Sequence, residues 1–311
     1  MVTNHGMHEW RVDAGLPDTG GQNVYVNQLS STLRKLGFRV TIFNRGGYKH
    51  PKSGVLREGT HYRNEHERLI YLEDSKDEFV RKEDMFYLLD ELGEDLTAHL
   101  QAAPEPVLII SHYWDGAAIA DRAMSRLGLD LPHVWVPHSL GALKREGTSP
   151  ERYEELRLDE RISMEDSLLH RVSLVGATSE ATRRTLADEH GITEALFLPP
   201  CVEEERFNRE AARKDHSAAT LLSDATGLSP EAVRSSRIIT EVSRTDRTKR
   251  KDILIEVFAR VHKKLPETLL AVTIDSNAGE LYRELTALIT ERGLTGRVAV
   301  LGSIWEYLPS L

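Results

Sequence analysis

The strongest constraint on the fold is a regular alternation of short apolar runs with segments of helical periodicity. Residues 107–111 (Val-Leu-Ile-Ile-Ser) form a continuous apolar run, typical of a parallel strand covered on both faces. Similar runs at 133–136, 173–177 and 195–198 are separated by segments with helical spacing of apolar residues. This alternation predicts an α/β protein with a doubly wound parallel sheet.

A glycine turn precedes the first predicted helix. Pro17 and Asp18 favour a turn, and Gly20 and Gly21 allow the backbone to bend where a Cβ would clash. The helix after them buries an apolar face at helical spacing, through Tyr25, Leu29, Leu33 and Leu36. A glycine pair that opens a helix leaves N–H groups at its positive end, which suits a phosphate. Taken alone, the glycines favour a plain strand-to-helix turn.

The composition changes near residue 200. Residues 201–236 are polar and helical in places, and a second α/β unit begins with the strand at 237–242. We therefore predict a first domain at 1–200, a linker at 201–236 and a second domain at 237–311. Three strands and two helices make a poor independent doubly wound domain, so we expect the second domain to be incomplete.

Composition limits the classes of function. The 311-residue chain has a formal charge of −9, 40% hydrophobic residues and a mean hydropathy of −0.39. Interspersed acids and bases argue against nucleic acid as the main partner. We find no bilayer-length apolar run and no signal peptide, so we expect no membrane partner. The single cysteine, Cys201, fits a reducing, cytoplasmic location.

Two polar motifs follow predicted strands in the first domain. His112, Tyr113 and Trp114 either line a sugar pocket or begin a capped helix with core aromatics, and both interpretations remain open. In the next motif, His138 and Lys144 present a hydrogen-bonding ring and a cation. The alternative for that pair is a loop histidine and a solvated lysine.

A third motif, residues 241–251, follows the first strand of the second domain. Arg244 offers a fork of donors and Lys249 a point charge, and both suit a diphosphate. The alternative is a solvated basic loop, although such a local cluster is unexpected in an acidic chain.

The sequence lacks the motifs of several other classes of protein, such as metal-binding proteins, serine hydrolases and NAD-dependent enzymes. The histidines and the single cysteine show no metal-ligand spacing, so we predict no metal site. There is no GxSxG elbow and no P-loop lysine after the glycines. The absence of a GxGxxG fingerprint disfavours an NAD-dependent enzyme.

In this order, the motifs together resemble the sucrose-phosphate synthase-like branch of the family 4 retaining glycosyltransferases. The resemblance covers nearly the whole chain, and each motif is weak while the ordered set is specific. Within the branch, residues 16–47 and 81–84 are most similar to the mannosylglucosyl-3-phosphoglycerate synthases. The matching segments lie at 18–22, 112–115, 138–144, 161–165, 177–179, 199–200 and 243–249.

The resemblance implies a GT-B fold, in which two Rossmann-like domains face a cleft. The amino domain takes the acceptor and the carboxyl domain takes the nucleotide sugar, with retention of configuration and no metal or further cofactor. The implied acceptor-phosphate ligands are Lys82, Lys144 and Arg161. The implied donor-side residues are Gly20 and Gly21 near the diphosphate, His138 beside the sugar, and Arg244 and Lys249 on the leaving diphosphate. Gln22 is a further candidate for substrate binding.

The family's Glu-x7-Glu motif, which lies further along the second domain, is missing. We therefore expect a truncated chain with little activity alone, and a sugar-phosphate-binding module is the alternative to an active transferase. The donor, GDP-mannose or UDP-glucose, stays open. So does the acceptor, whether glucosyl-3-phosphoglycerate, fructose 6-phosphate or glucose 6-phosphate. The oligomeric state is not predicted.

Overall fold

The computed structural model describes residues 1–4, 6–12, 16, 18–102, 106–145, 148–202, 207–208, 210 and 217–302. Pro17 and the end of the chain from residue 303 lie outside the described residues. The chain divides into two compact units, Met1–Cys201 and Val202–Leu311.

The first unit is built on a sheet of strand order β3-β4-β2-β1-β5-β6-β7-β8 in the described residues. All neighbouring strands are parallel except β3 and β4. The order reverses beside β1, as in a doubly wound sheet. The strands are β1 (Val2–Thr3), β2 (Val40–Arg45), β3 (Thr60–Asn64), β4 (Glu67–Leu72), β5 (Ile109–His112), β6 (His133–Val136), β7 (Leu174–Ala177) and β8 (Leu196–Phe197).

Helices link these strands and cover the sheet. A 3₁₀ helix, Lys82–Leu88, leads directly into α2. The serine N-caps of α5 and α7 each accept an N–H group from the first turn of the helix. The main core lies between β5, β6 and the apolar faces of α2 and α3. The helices are α1 (Gly21–Lys35), α2 (Leu89–Ala102), α3 (Tyr113–Leu127), α4 (Gly141–Arg145), α5 (Pro150–Glu155), α6 (Leu158–Leu169) and α7 (Glu180–His190).

The structure corrects several local predictions in this unit. The charged segment 45–78 predicts loops with one short strand at 68–72, but Thr60–Asn64 form strand β3, which is exposed and pairs with β4 as an edge hairpin. Leu36, predicted on the buried face of α1, is 70% exposed because the helix ends at Lys35. The sequence predicts Asp115 as the cap of the helix after residues 107–111, but His112 occupies the N-cap position. Buried Asp115 instead accepts hydrogen bonds from the Asn4 side chain and from the Gly116 N–H.

The second unit contains a parallel sheet of order β11-β10-β9 in the described residues. Alternate residues of β10 contact different helices: Leu270 and Val272 pack with α10 and α11, whereas Leu269 and Ala271 pack with α8 and α9. Helices therefore cover both faces. The elements are α8 (Ser217–Thr226), α9 (Pro230–Ser235), β9 (Arg237–Glu241), α10 (Lys251–Lys264), β10 (Thr268–Thr273), α11 (Glu280–Glu291) and β11 (Val298–Leu301).

Two features of this unit differ from the sequence interpretation. Residues 217–235, assigned to the linker, form α8 and α9, whose Leu222 and Val233 are buried against the second sheet. The sequence predicts an apolar helix face through Ile253, Leu254, Val257, Phe258 and Val261. In α10, however, Ile255 and Phe258 are the buried apolar residues, while Ile253 and Val257 are about half exposed. Among the helices described, none combines the length and the apolar character needed to cross a membrane.

Candidate functional site

The carboxyl ends of β5 and β6 carry two residues with left-handed backbones. Tyr113, immediately after β5, has φ 64°, and His138, two residues after β6, has φ 55°. Non-glycine residues hold such conformations only where the surrounding structure enforces them, and they concentrate at functional sites. In open α/β sheets, ligands also bind at the carboxyl ends of the strands. The side chains around these two residues therefore form the candidate site.

A buried arginine organises this end of the sheet. Arg161 on α6 donates to Glu165 at 2.7 Å, to the Tyr113 hydroxyl at 2.5 Å and to the Ser139 carbonyl at 2.5 Å. The second Glu165 oxygen accepts the N–H of Gly141 at 2.7 Å. One ion pair thus joins α6 to the first turns of α3 and α4, and it fixes the positions of all three.

Two lysines lie next to this ion pair. The Lys144 ammonium is 3.4 Å from the Tyr113 hydroxyl, and burial, together with the nearby charges of Arg161 and Lys82, lowers the pKa of Lys144 to about 8. Burial raises the pKa of Tyr113, so its hydroxyl stays protonated. Lys82 pairs with Asp18 at 2.5 Å and with Glu83 at 3.2 Å. Lys144 makes no ion pair with any described carboxylate.

These cations surround one cavity system. A narrow cavity is lined by Lys82, Tyr113, Trp114, Lys144 and Arg161, among others. A wider cavity of about 270 Å³ shares Lys82 with it and extends along Asp18, Phe79, Arg81, Arg152 and Glu155. The structure therefore brings together the three cations that the resemblance assigned to the acceptor phosphate.

The aromatic residues of the motif after β5 have two roles. Trp114 is buried and stacks on Phe86 with ring centroids 4.1 Å apart, as a core aromatic does. With Tyr113, it also lines the narrow cavity. Trp114 is thus a core aromatic, and the sugar pocket stays a prediction.

Two histidines near the carboxyl ends of β5 and β6 are in direct contact. His112 Nδ1 lies 3.0 Å from His138 Nε2, and the edge of the Tyr25 ring approaches both imidazoles. Burial, and secondarily His138, lowers the pKa of His112 well below its ordinary value. His112 is therefore neutral at physiological pH.

The glycine turn is less crowded than the sequence suggested. A Cβ added to Gly20 or to Gly21 would meet no atom within 4 Å, so the expected clash is wrong. Asn23 accepts the N–H of Gly20 at 2.9 Å, and Gln22 donates to Thr3 at 3.1 Å. The glycines leave open space at the N-terminus of α1.

In the second unit, the predicted diphosphate ligands are exposed. Arg244 is 55% exposed and lies 3.9 Å from the Asp246 carboxylate. Lys249 ends a short 3₁₀ helix, Arg247–Lys249, and has no ion-pair partner among the described residues. Both cations keep their donors accessible to solvent.

The sequence interpretation missed a buried cation in the same loop. The Lys251 ammonium is 2.5 Å from Glu241, 3.0 Å from the Ser243 hydroxyl and 3.3 Å from the Thr273 hydroxyl. These contacts tie the start of α10 to the carboxyl ends of β9 and β10. A lysine in a basic loop gives no sequence signal for such burial, because its partners come from two strands.

A metal site was not predicted, and in the described ranges no group of three or more His, Cys, Asp or Glu side chains is placed to hold an ion. Metal independence itself stays a prediction.

Comparison with known proteins places this arrangement in a family. The model of Glycosyltransferase Family 4 matches residues 19–206, more than half of the chain. The chain therefore belongs to Glycosyltransferase Family 4. The predicted fold class is also confirmed, since the matching structures below are GT-B glycosyltransferases.

Individual relatives narrow the comparison. The chain is 26% identical to mannosylfructose-phosphate synthase of Agrobacterium fabrum, over 100% of the chain and 68% of that protein. It is 24% identical to a probable sucrose-phosphate synthase of Thermosipho melanesiensis, over 61% of the chain and 45% of that protein. The chain thus spans between about half and two thirds of the length of these curated relatives.

Solved structures agree on the fold. The sucrose-phosphate synthase of Thermosynechococcus elongatus superposes with a TM-score of 0.75 and 25% identity, covering 99% of this chain and 71% of that one. An α,α-trehalose 6-phosphate synthase from Burkholderia multivorans superposes with a TM-score of 0.57 at 16% identity, covering 97% of this chain and 72% of that one. At 16% identity, the match to the trehalose 6-phosphate synthase shows a similarity of fold alone.

Proposed function

We propose that this protein transfers a hexose from a nucleotide sugar to a phosphorylated acceptor, with retention of configuration. The observation that carries the proposal is the convergence of Lys82, Lys144 and Arg161 on one cavity system in the first unit. Membership of Glycosyltransferase Family 4 supports the reaction class. The names of mannosylfructose-phosphate synthase and sucrose-phosphate synthase support a phosphorylated sugar.

In this proposal, Arg161 and Lys144 have different roles in binding the phosphate. Arg161 is held by Glu165 and in turn holds the Tyr113 hydroxyl, so it positions the wall of the cavity. Among the described residues, Lys144 contacts the Tyr113 hydroxyl and ring and forms no ion pair, so a phosphate would supply a counter-charge. Charge-assisted contacts of this kind are worth about 1.5–3 kcal/mol each.

On the donor side, the proposal assigns the leaving diphosphate to Arg244 and Lys249. Departure of a nucleoside diphosphate builds negative charge on a phosphate oxygen and positive charge on the sugar ring. Preorganised donors at that phosphate are worth about 3 kcal/mol each when removed singly. The open N-terminus of α1 at Gly20 and Gly21 adds a favourable helix dipole. His138 is assigned to the donor sugar.

The acceptor and donor are named from the resemblance. Similarity of residues 16–47 and 81–84 to the mannosylglucosyl-3-phosphoglycerate synthases makes glucosyl-3-phosphoglycerate the first acceptor to test. Fructose 6-phosphate and glucose 6-phosphate follow, with GDP-mannose and UDP-glucose as donors. The second candidate function is a sugar-phosphate-binding module, favoured by the location of all three phosphate cations in the first unit.

The test combines calorimetry with an assay for nucleoside diphosphate release. Each donor is paired with each phosphorylated acceptor and with free fructose or glucose as the unphosphorylated control. Lys144→Met should weaken acceptor binding about 10-fold or more, because one charge-assisted contact is lost. Arg145→Met is the matched control, since Arg145 is exposed and pairs with Glu189.

The outcomes separate the two functions. Release of diphosphate that needs the phosphorylated acceptor supports the transferase. Acceptor binding without nucleotide binding supports the module. Equal affinity for phosphorylated and free sugars, or an equal effect of the Lys144 and Arg145 variants, would contradict the phosphate site itself.

A further inference from the structure

Lys251, the first residue of α10, is a lysine whose charge is enclosed by the protein. Its side chain is 1% exposed, and its nitrogen lies 2.5 Å from the Glu241 carboxylate and 3.0 Å from the Ser243 hydroxyl. The Ser243 carbonyl and the Thr273 hydroxyl are each 3.3 Å away. An ammonium has three N–H donors, so these four oxygens satisfy all of them. Lys251 therefore has no donor left for a bound anion.

The helix itself does not favour a lysine at this position. A cation in the first turn opposes the helix dipole, and burial of an unpaired ammonium is costly. The contacts with the carboxyl ends of β9 and β10 offset both costs. The position of the Lys251 side chain is therefore set by these strands rather than by α10.

The oxygens that surround Lys251 also fix the first residue of the loop at 243–250. The Ser243 N–H donates to the Thr273 hydroxyl at 3.0 Å, and that hydroxyl donates to the Ser243 carbonyl at 2.6 Å. The Ser243 hydroxyl in turn donates to Glu241. A buried polar network in which each donor has an acceptor makes its members rigid. Ser243 is thus held to β10 through both of its backbone groups.

Arg244 lies between two anchored residues. Ser243 precedes it, and Thr245 follows it, where the Thr245 hydroxyl accepts the N–H of Asp275 at 2.9 Å. The Arg244 side chain itself is 55% exposed. Its backbone is therefore fixed while its donors stay accessible, which is the condition for preorganised binding of an anion.

Lys249 is joined to Lys251 by a residue with an unfavourable backbone conformation. Arg250 has φ 48°, in the left-handed region that non-glycine residues keep only where neighbouring structure enforces it. The buried side chain of Lys251, one residue further, supplies that constraint. Lys249 ends its short helix immediately before this turn, so its position also depends on Lys251.

We propose that Lys251 is a positioning residue for the loop at 243–250. Its buried ammonium joins β9 to β10 and thereby holds Arg244 and Lys249 in one geometry for a diphosphate. The inference rests on the proposed function for the identity of that ligand. Its consequence is that the loop is ordered before the ligand arrives, so binding does not have to order it.

The first test is backbone hydrogen exchange in the full chain without ligand, measured residue by residue by NMR. The N–H groups of Ser243 and Asp275 donate to threonine hydroxyls and report on the loop. The Leu270 N–H in β10 donates to the Arg297 carbonyl and reports on the core. In Lys251→Met, the exchange rate at Ser243 should rise about 10-fold more than the rate at Leu270.

Phe258→Leu is the matched control for stability. Phe258 is buried in the same helix, about two turns beyond Lys251, so this variant lowers the stability of α10 without removing a contact of the loop. It should raise the exchange rate at Leu270 and leave the rate at Ser243 unchanged. If both rates rise equally in Lys251→Met, Lys251 is only a structural residue and the inference is overturned.

The second test measures affinity for GDP, UDP and inorganic pyrophosphate by calorimetry. A further pair of variants keeps Lys251 in place: Thr273→Val removes the hydroxyl that contacts both Lys251 and Ser243, and Thr273→Ser retains it. We expect Lys251→Met and Thr273→Val to weaken binding about 10-fold, because the ligand must then order the loop. Thr273→Ser and Phe258→Leu should bind like the wild type.

The outcomes separate positioning from stability and from the proposed function. Equal weakening by Lys251→Met and Phe258→Leu, or by both Thr273 variants, would overturn the positioning role. If Lys251→Met does not fold, the two Thr273 variants decide. A wild-type chain that binds none of the three ligands would contradict the donor-side assignment in the proposed function, and the exchange measurement would still decide whether Lys251 holds the loop.

Discussion

Replacing Arg161 with methionine tests whether the buried ion pair organises the site. The substitution removes the contacts to Glu165, the Tyr113 hydroxyl and the Ser139 carbonyl. Glu165 keeps the N–H of Gly141 but loses its counter-ion in a position with no solvent exposure. The variant therefore contains an uncompensated buried carboxylate.

The magnitude follows from that unpaired charge. Removing one partner of a buried ion pair costs about 3–5 kcal/mol, which for a domain of this size lowers the melting temperature by about 10 °C. The double variant Arg161→Met/Glu165→Gln removes the stranded charge, while the amide oxygen of the substituted side chain still accepts from the α4 N-terminus. We expect it to be more stable than the single variant by about 1–2 kcal/mol.

Unfolding in urea, followed by tryptophan fluorescence, measures the free energy of unfolding of the single and the double variant. Trp114 and Trp135 are buried in the first unit, and Trp135 donates to the Tyr113 carbonyl, so they report on this region. The single variant should regain stability as the pH falls, since a proton on Glu165 removes the unpaired charge. Arg183→Met, which breaks an exposed ion pair on α7, is the control and should change little.

Two results would refute this reasoning. One is a single variant destabilised by less than about 1 kcal/mol, which would mean that Glu165 is not held by the pair. The other is a double variant that is no more stable than the single one, which would place the cost in packing rather than in the buried charge.

Three further predictions concern other parts of the chain. Gly21→Ala should leave thermal stability nearly unchanged, whereas Gly116→Ala should cost about 1–3 kcal/mol of stability, because a Cβ at Gly116 meets the backbone of β1 at 2.7 Å. Differential scanning calorimetry compares the two variants, and equal losses of stability would contradict the prediction. Affinity for glucose 6-phosphate should fall as the pH rises through about 8, where Lys144 loses its charge. In calorimetry, this fall in affinity should be absent from the Lys144→Met variant. If the variant still shows it, the fall is due to another group. Lys251→Met should lower the free energy of unfolding in urea by about 3 kcal/mol, because the Lys251 ammonium is buried. Arg250→Met, which changes an exposed side chain, should lower it far less. A similar loss for both variants would argue against a buried ion pair.

The fold was predictable because it depends on patterns that are local in sequence. Strand β6 lies at residues 133–136 as the apolar run indicated, and α7 lies between its serine cap and Gly191. Each of these signals acts within a few residues: a cap, a left-handed glycine, a short apolar run. Edge strand β3 escaped prediction because pairing to β4, rather than apolar periodicity, makes it a strand.

The arrangement of the site depends on tertiary structure. The sequence identified Lys82, Lys144 and Arg161 as cations. Only the packing of α6 against α3 shows that Arg161 forms an ion pair with Glu165 and that Lys144 forms no such pair with a described carboxylate. The same holds for Lys251, whose burial depends on residues contributed by β9 and β10. By itself, the sequence determined the order of strands and helices and the residue types at their ends. Only the tertiary structure decided which charges are neutralised, because burial and ion pairing depend on distances between residues that are far apart in the chain.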